Sequence, residues 1–262
     1  MAAETAARFI AAMPLSERYA PSDLSVFSSS EAQRFLGGGC DDPRASPMLA
    51  WELLYRLEPR LYDRLASAER IHPAILDWLP RRSGHVVEVG AGTGRLTLEL
   101  VARCDQLIAI EPAAPLRTIL SERLAALGIS AGVRIVDGWC DALPVPDASA
   151  DLVIACSMLT PDRAHGGDAG LAEMERVCAP HGRVVIIWPN HLRWLRQRGF
   201  SYKSFPGEMN MEFPSVEEAV ELAGIFYPDA VSEIRQRRRR RVPYEVLGVN
   251  PPRDVAYKDI RG

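Results

Sequence analysis

The stretch VVEVGAGTGRLTLEL, residues 86–100, changes character twice. An apolar run over His85–Val89 reads as a strand. Gly90, Gly92 and Gly94 break it, and an amphipathic run over Arg95–Arg103 reads as a helix. Glycine lets the backbone bend sharply and lie against a ligand with no side chain between. A helix opening straight after the bend adds N–H groups aimed at the same place. Dinucleotide sites use the same device with the pattern G-x-G-x-x-G or A. Here Arg95 holds the last position, where it would crowd a pyrophosphate. The spacing is G-x-G-x-G, and an acid, Glu88, stands two residues before the first glycine.

Outward from this bend, short apolar strands alternate with helices. Gln106–Ile110, Val133–Val136, Asp151–Ala155 and Arg183–Trp188 read as strands. Ala113–Leu127, stopped by Gly128, and Asp168–Cys178, with Asp168 as N-cap, read as helices. Strands apolar throughout and alternating with helices signal a parallel sheet covered on both faces. Upstream, Ser46-Pro47 opens a helix through Leu57, Pro59 restarts it, and Pro73–Leu79 is a further short helix. Ser28–Ser30 and Gly37–Gly39 read as loops or turns. Downstream, Ser215 and Glu218 fit a capping box for a helix to about Phe226. Ile234–Val249 reads as two antiparallel strands or one long bent one.

Composition narrows the function classes. Hydrophobic residues make up 47% and charged residues 25% of 262, which excludes disorder and fibrous repeats as global descriptions. Lysine and arginine number 31 against 34 acids, a net charge of −3. No overall positive field recommends a nucleic-acid partner. The run Arg237–Arg241, with Arg235, reads as an edge strand guarded by charge. Five cysteines without a C-x-x-C pair argue for reduced thiols, a cytoplasmic protein and no metal site. The alanine-rich start lacks a basic region before an apolar run, so it does not read as a signal peptide, and no window reads as a membrane span.

Residues 86–100 resemble motif I of class I S-adenosylmethionine-dependent methyltransferases. The resemblance runs to about Trp188 through IAIEP (108–112), GWCDALPVPDASADLVIACSML (138–159) and HGRVVII (181–187). It implies a Rossmann-like α/β fold: a mostly parallel seven-stranded sheet with helices on both faces and an N-terminal helical lid. Residues 1–82 would form that lid, 83–190 the cofactor core, and 191–262 a substrate-pocket insert with terminal strands. The implied cofactor is S-adenosylmethionine, leaving as S-adenosylhomocysteine. Its binding residues would be Glu88, Gly90, Ala91, Gly92, Gly94, Glu111, Pro112, Asp137, Gly138, Trp139, Cys140 and Cys156. In the family an acid at the place of Glu111 accepts hydrogen bonds from the ribose hydroxyls.

One departure concerns the adenine side. Many relatives carry Asp after the glycine of this loop, whereas here Gly138 is followed by Trp139 and Cys140. Either Asp137 or Asp141 supplies the acceptor, or Trp139 packs on the ring while the Cys140 N–H reaches it. Both readings stay open. Base candidates are His165 and His191, in the loops after the fourth and fifth strands. Tyr62 would close the pocket from the lid. Trp188 and Tyr202, in an aromatic-rich segment that includes Trp194, Phe200 and Phe205, would meet the acceptor. The expected reaction is methyl transfer to O, N or C of a small aromatic or hydrophobic metabolite, by a protein that could form a homodimer.

Two alternatives remain. The first motif also resembles that of the rRNA adenine dimethyltransferases, but those place N-L-P-Y or N-I-P-F after the fourth strand. Here Ala155–Thr160 has no Asn and no aromatic, which rejects that chemistry and leaves other RNA substrates open. The third reading is a protein that binds the cofactor without transferring methyl.

Overall fold

The computed structural model describes residues 13–129 and 131–262. Its helices are α1 (Leu15–Arg18), α2 (Ser29–Leu36), α3 (Pro47–Leu57), α4 (Pro59–Ala68), α5 (Pro73–Trp78), α6 (Thr97–Leu100), α7 (Ala114–Ala126), α8 (Gly167–Val177), α9 (Leu192–Gln197), α10 (Val216–Phe226) and α11 (Val231–Arg237). Its strands are β1 (Ser83–Val89), β2 (Cys104–Ile110), β3 (Val133–Val136), β4 (Ala150–Cys156), β5 (Cys178–Ile187), β6 (Ser201–Ser204), β7 (Asn210–Glu212), β8 (Arg241–Pro243) and β9 (Asp254–Asp259). The chain folds into two compact units. One joins the residues up to Arg70 with Glu208–Pro251; the other joins Ile71–Gly207 with Pro252–Gly262. Each is discontinuous in sequence.

The second unit holds the expected sheet of seven strands, in the order β3-β2-β1-β4-β5-β9-β6. The pairs among β1 to β5 are parallel, and only β9 runs against its neighbours. Alternate side chains of each strand leave for opposite faces. On β4, Val153 and Ala155 join a cluster with Leu171, Met174 and Val177 of α8. Leu152 and Ile154 join another with Ile75 and Leu76 of α5 and Leu100 of α6. All four β4 residues are 0–2% exposed. Each such side chain contributes about 1.5–3 kcal/mol by leaving water, Ala155 less. That burial on both faces is why the strands read as continuous apolar runs. The order reverses at β1 and β4, and in open α/β sheets the carboxyl ends of strands at such a point form a crevice.

The first unit is helical with one small ribbon, β7 against β8. Its interior contains Leu49, Leu53 and Leu54 of α3, together with Phe213, Leu222 and Tyr244, all 0% exposed. Ser46 caps α3 and Ser215 caps α10, as their sequences suggest. The acid of the expected capping box, Glu218, turns instead to Arg64 at 2.7 Å. Arg56 joins Glu31 and Glu52, each at 2.6 Å. Tyr62 packs edge-on against Tyr55, ring centroids 4.8 Å apart.

Several elements differ from their sequence reading. The helix expected over Arg95–Arg103 is reduced to the single turn α6, because Gly94 turns left-handed (φ +100°) and β2 begins at Cys104. Ser28–Ser30 is not a loop: Ser28 and Glu31 form a reciprocal capping box that opens α2. Asp168 is not the N-cap of α8; Gly166 is, at φ +97°. Ile234–Val249 is not a strand pair. Ile234 lies within α11, which Arg238 ends at φ +47°. The arginine run accordingly spans a helix end, a turn and β8 rather than an edge strand. Arg237 pairs with Glu233, Arg241 with Glu212 at 3.0 Å, and Arg240 donates to the Phe213 carbonyl at 3.2 Å. The terminal strand that does enter the sheet is β9, further on.

Candidate functional site: the glycine bend at the ends of β1 and β2

Gly90, Gly92 and Gly94 all have positive φ, at +74°, +57° and +100°. The bend is sewn to β2. The Ile110 carbonyl accepts from the Gly90 and Ala91 amides at 2.9 and 3.0 Å. Glu111 continues the binding. One carboxylate oxygen accepts from Gly92 N–H and the other from Ala113 N–H, both at 2.9 Å. Gly94 N–H donates to the Ala91 carbonyl at 3.0 Å. Four amides expected to face a ligand are therefore spent inside the protein, and α6 is too short to act as an N-terminal anion site. Pro112 follows Glu111 and gives its carbonyl to Arg117 at 2.8 Å.

Glu88 lies beneath the bend, 2% exposed. Thr97 donates its hydroxyl to it at 2.6 Å and its backbone N–H as well. Burial pushes the Glu88 carboxyl up to about 8; the Thr97 bonds pull it down and the Glu111 charge adds to the rise. Two acids thus share one buried corner. Cys156 closes the end of β4, where the Arg95 guanidinium reaches its sulfur at 3.2 Å. Burial raises this thiol, Arg95 opposes the rise, and Glu88 reinforces it.

Thr93 was not legible as a site residue. Its hydroxyl is buried, the residue is 2% exposed, and the oxygen has no hydrogen-bond partner among the described residues. An orphaned polar atom in such a bend costs free energy until something bonds to it. The residues present fit a nucleoside carrying polar and cationic groups: left-handed glycines, a carboxylate at the strand end, a second buried acid and an unsatisfied hydroxyl.

The remaining candidates fall as follows. Asp137 is exposed and pairs with Arg117 at 3.1 Å. Gly138 has no room for a β-carbon, which would come within 2.7 Å of Pro144 and 3.0 Å of Ile110. Trp139 is half-buried and bridges to Ala142. Cys140 is buried, its sulfur 2.9 Å from where a β-carbon on Gly166 would lie. Arg176 of α8 pins the rest of this loop, donating to the Leu143 and Val145 carbonyls at 3.0 Å each. His165 is half-buried in a 3-10 turn after β4; His191 is exposed at the start of α9. Trp188 follows β5 with φ +55° and packs on the α5 side of the sheet. Tyr202 lies apart from the bend on the outermost strand β6, three strand spacings from β4, roughly 14 Å. Its hydroxyl donates to Asp254 at 3.0 Å. Trp194, Phe200 and Phe205 are core residues of the second unit. Tyr62 belongs to the first unit.

Residues 86–182 match the family model of the methyltransferase domain. This segment is similar to a methyltransferase domain. It spans β1 through the first part of β5 and contains every residue of the bend. Among curated relatives, the uncharacterized methyltransferase Rv3342 of Mycobacterium tuberculosis is 32% identical over 48% of this chain and 50% of its own. The uncharacterized methyltransferase YrrT of Bacillus subtilis is 37% identical over 34% of this chain and 40% of its own. The ubiquinone/menaquinone biosynthesis C-methyltransferase UbiE of Pseudoalteromonas translucida is 30% identical over 41% and 43%. The chain spans about half the length of the curated relatives it matches. Among solved structures, that of YcgJ from Bacillus subtilis aligns at a TM-score of 0.48 and 16% identity, over 75% of this chain and 98% of its own. All five cysteines are free thiols. Among the described residues, no helix is long and apolar enough to cross a membrane, and no group of three or more His, Cys, Asp and Glu could hold a metal.

Proposed function

We propose that the protein transfers the methyl group of S-adenosylmethionine to O, N or C of a small, apolar or aromatic acceptor. One observation carries the cofactor half of this reading: the bend spends its own amides and sets two buried acids, Glu88 and Glu111, beneath them. A pyrophosphate needs free N–H donors and would meet two carboxyls. A nucleoside with a positive side chain meets a favourable field. The methyltransferase-domain match over residues 86–182 supports the same choice.

When bound, the cofactor supplies a methyl group made electrophilic by the positive sulfur. The protein has to orient an acceptor against it and exclude water. Glu111 would hold the ribose through its carboxylate. The Gly90–Gly94 bend, Thr93 and Glu88 would hold the methionyl portion, and the Gly138–Cys140 loop would border the adenine. Cys156 would lie beside the cofactor at the end of β4. Acceptor binding falls to Trp188 in this reading, with His165 or His191 taking a proton where the nucleophile must lose one. A relative named as a C-methyltransferase of ubiquinone/menaquinone biosynthesis supports a small apolar acceptor.

The test is product formation. Incubation with methyl-labelled S-adenosylmethionine and a panel of phenols, quinols, amines and acidic carbon compounds should release S-adenosylhomocysteine with at least one. His165→Ala should then lower turnover without changing cofactor affinity. Binding of the cofactor with no turnover on any acceptor would point to a binding protein. Methylation of RNA alone, with affinity falling steeply as salt rises, would replace the acceptor class.

A further inference from the structure

We infer that Glu88 is a proton-for-cation exchange residue: it holds a proton in the ligand-free protein and surrenders it to solvent when a positively charged group of the cofactor is bound. The inference rests on the cofactor reading above and goes beyond it, because it assigns Glu88 a change of state rather than a contact.

The geometry comes first. Glu88 is the last residue but one of β1, in register with Ala109 of β2 and Ile154 of β4, two fully buried neighbours that offer it no charge. Titratable groups face it from three directions. Glu111 lies at the end of β2, Cys156 at the end of β4, and Arg95, bound to the Cys156 sulfur, in the bend above. From α6 only Thr97 reaches it, through a hydroxyl and an N–H. Glu111 is already engaged at both oxygens by backbone donors. Glu88 and Glu111 therefore repel when both are charged, in a corner where water does not screen them.

The protonation follows from that geometry. Burial and the Glu111 charge push the Glu88 carboxyl up to about 8, so the ligand-free protein carries the proton at neutral pH. An ammonium or sulfonium brought into the corner reverses the balance, since an opposite charge within a few Å favours the carboxylate. The O–H bond of Glu88 breaks, the electron pair stays on the carboxylate, and the proton leaves to buffer. No other reactant is needed. Protons and cofactor then compete, so affinity must rise with pH and level off once Glu88 is ionised.

Calorimetric titration of the full chain with S-adenosylhomocysteine tests this directly, in two buffers of different ionisation enthalpy. S-adenosylhomocysteine carries the ammonium without the sulfonium, and S-adenosylmethionine carries both. At about pH 7 the wild type should release about one proton per cofactor bound, and below that pH affinity should weaken about tenfold per pH unit. Release with both ligands assigns the exchange to the ammonium; release with S-adenosylmethionine alone assigns it to the sulfonium. Glu88→Gln should bind with no proton release and no pH dependence through this range. Thr97→Val, which removes a donor to the carboxylate, should move the pH midpoint upward. Binding of both nucleosides to the wild type with equal heats in the two buffers overturns the exchange while leaving the cofactor reading intact. So does a Glu88→Gln variant that releases as many protons as the wild type. Failure of either nucleoside to bind at any pH overturns the cofactor reading, and the exchange with it.

Discussion

Thr93 carries a methyl and a hydroxyl on one carbon in a space with no acceptor for the hydroxyl. Replacing it with Val keeps the shape and removes an unsatisfied buried group, so the ligand-free protein should melt at the same temperature or higher. If the hydroxyl serves the cofactor, the same variant should bind S-adenosylhomocysteine more weakly by about 0.5–1.5 kcal/mol, read by calorimetry. Gly92 offers the opposite case. At φ +57° a β-branched side chain is strained by at least about 1–2 kcal/mol, and it would stand where the methionyl group is proposed to lie. Gly92→Val should abolish cofactor binding, with circular dichroism confirming that the sheet persists. The sequence made the glycines legible because a left-handed backbone selects them by type. Thr93 was not legible: a threonine between two glycines looks the same whether its hydroxyl is bonded or orphaned, and only the packing around it decides.

Elements were legible in proportion to how strongly one physical rule governed them. β1 and β4, in the middle of the sheet, are buried on both faces over most of their length, and that writes a continuous apolar run into the chain. α6 was over-read because Leu96 and Leu100, four residues apart and both buried, keep a helical spacing over a stretch whose helix is a single turn. The arginine run was misread as strand because charge period does not distinguish a strand from a helix end; buried Ile234 is the residue that fixes α11. The Leu143–Asp147 segment shows what sequence could not give at all, a loop held by two distant side chains of α8: Glu173 accepts from the Leu143 N–H at 2.8 Å, and Arg176 binds the rest. Arg176 donates to the carbonyls of Leu143 and Val145 and pairs with Asp147 and Glu173, both at 2.6 Å. Arg176→Met keeps the stem and removes these bonds. It should cost about 1–3 kcal/mol of stability in chemical denaturation. Amide exchange should quicken at 143–147 while β4 stays protected, and cofactor affinity should fall through the loosened adenine side. Unchanged exchange in that segment would mean that α8 and the loop hold together without the arginine.

At the scale of the whole molecule, 31 cationic and 34 anionic side chains nearly cancel, so no global field explains a pH response near neutrality. A buried acid can. The Glu88 carboxyl ionises near 4.5 in an unfolded chain and at about 8 in the folded one. Its folded-state value is raised, so between those values the folded state binds the extra proton and the unfolded state does not. Stability linked to Glu88 is therefore full below about pH 4.5 and is lost as pH rises toward 8, continuing until the folded carboxyl itself ionises. The ligand-free wild type should lose a few kcal/mol across this window relative to Glu88→Gln, whose amide has no proton to give. Thermal melts of both proteins in steps from about pH 5 to pH 9 measure the difference, which cancels every other titrating group they share. The two curves should converge at the acid end, with Glu88→Gln the more stable at the alkaline end. Parallel curves would mean that Glu88 is charged in the folded protein throughout, with its repulsion from Glu111 offset elsewhere in the corner. Saturating S-adenosylhomocysteine should flatten the wild-type curve, because the cation that ionises Glu88 also removes the cost of its charge.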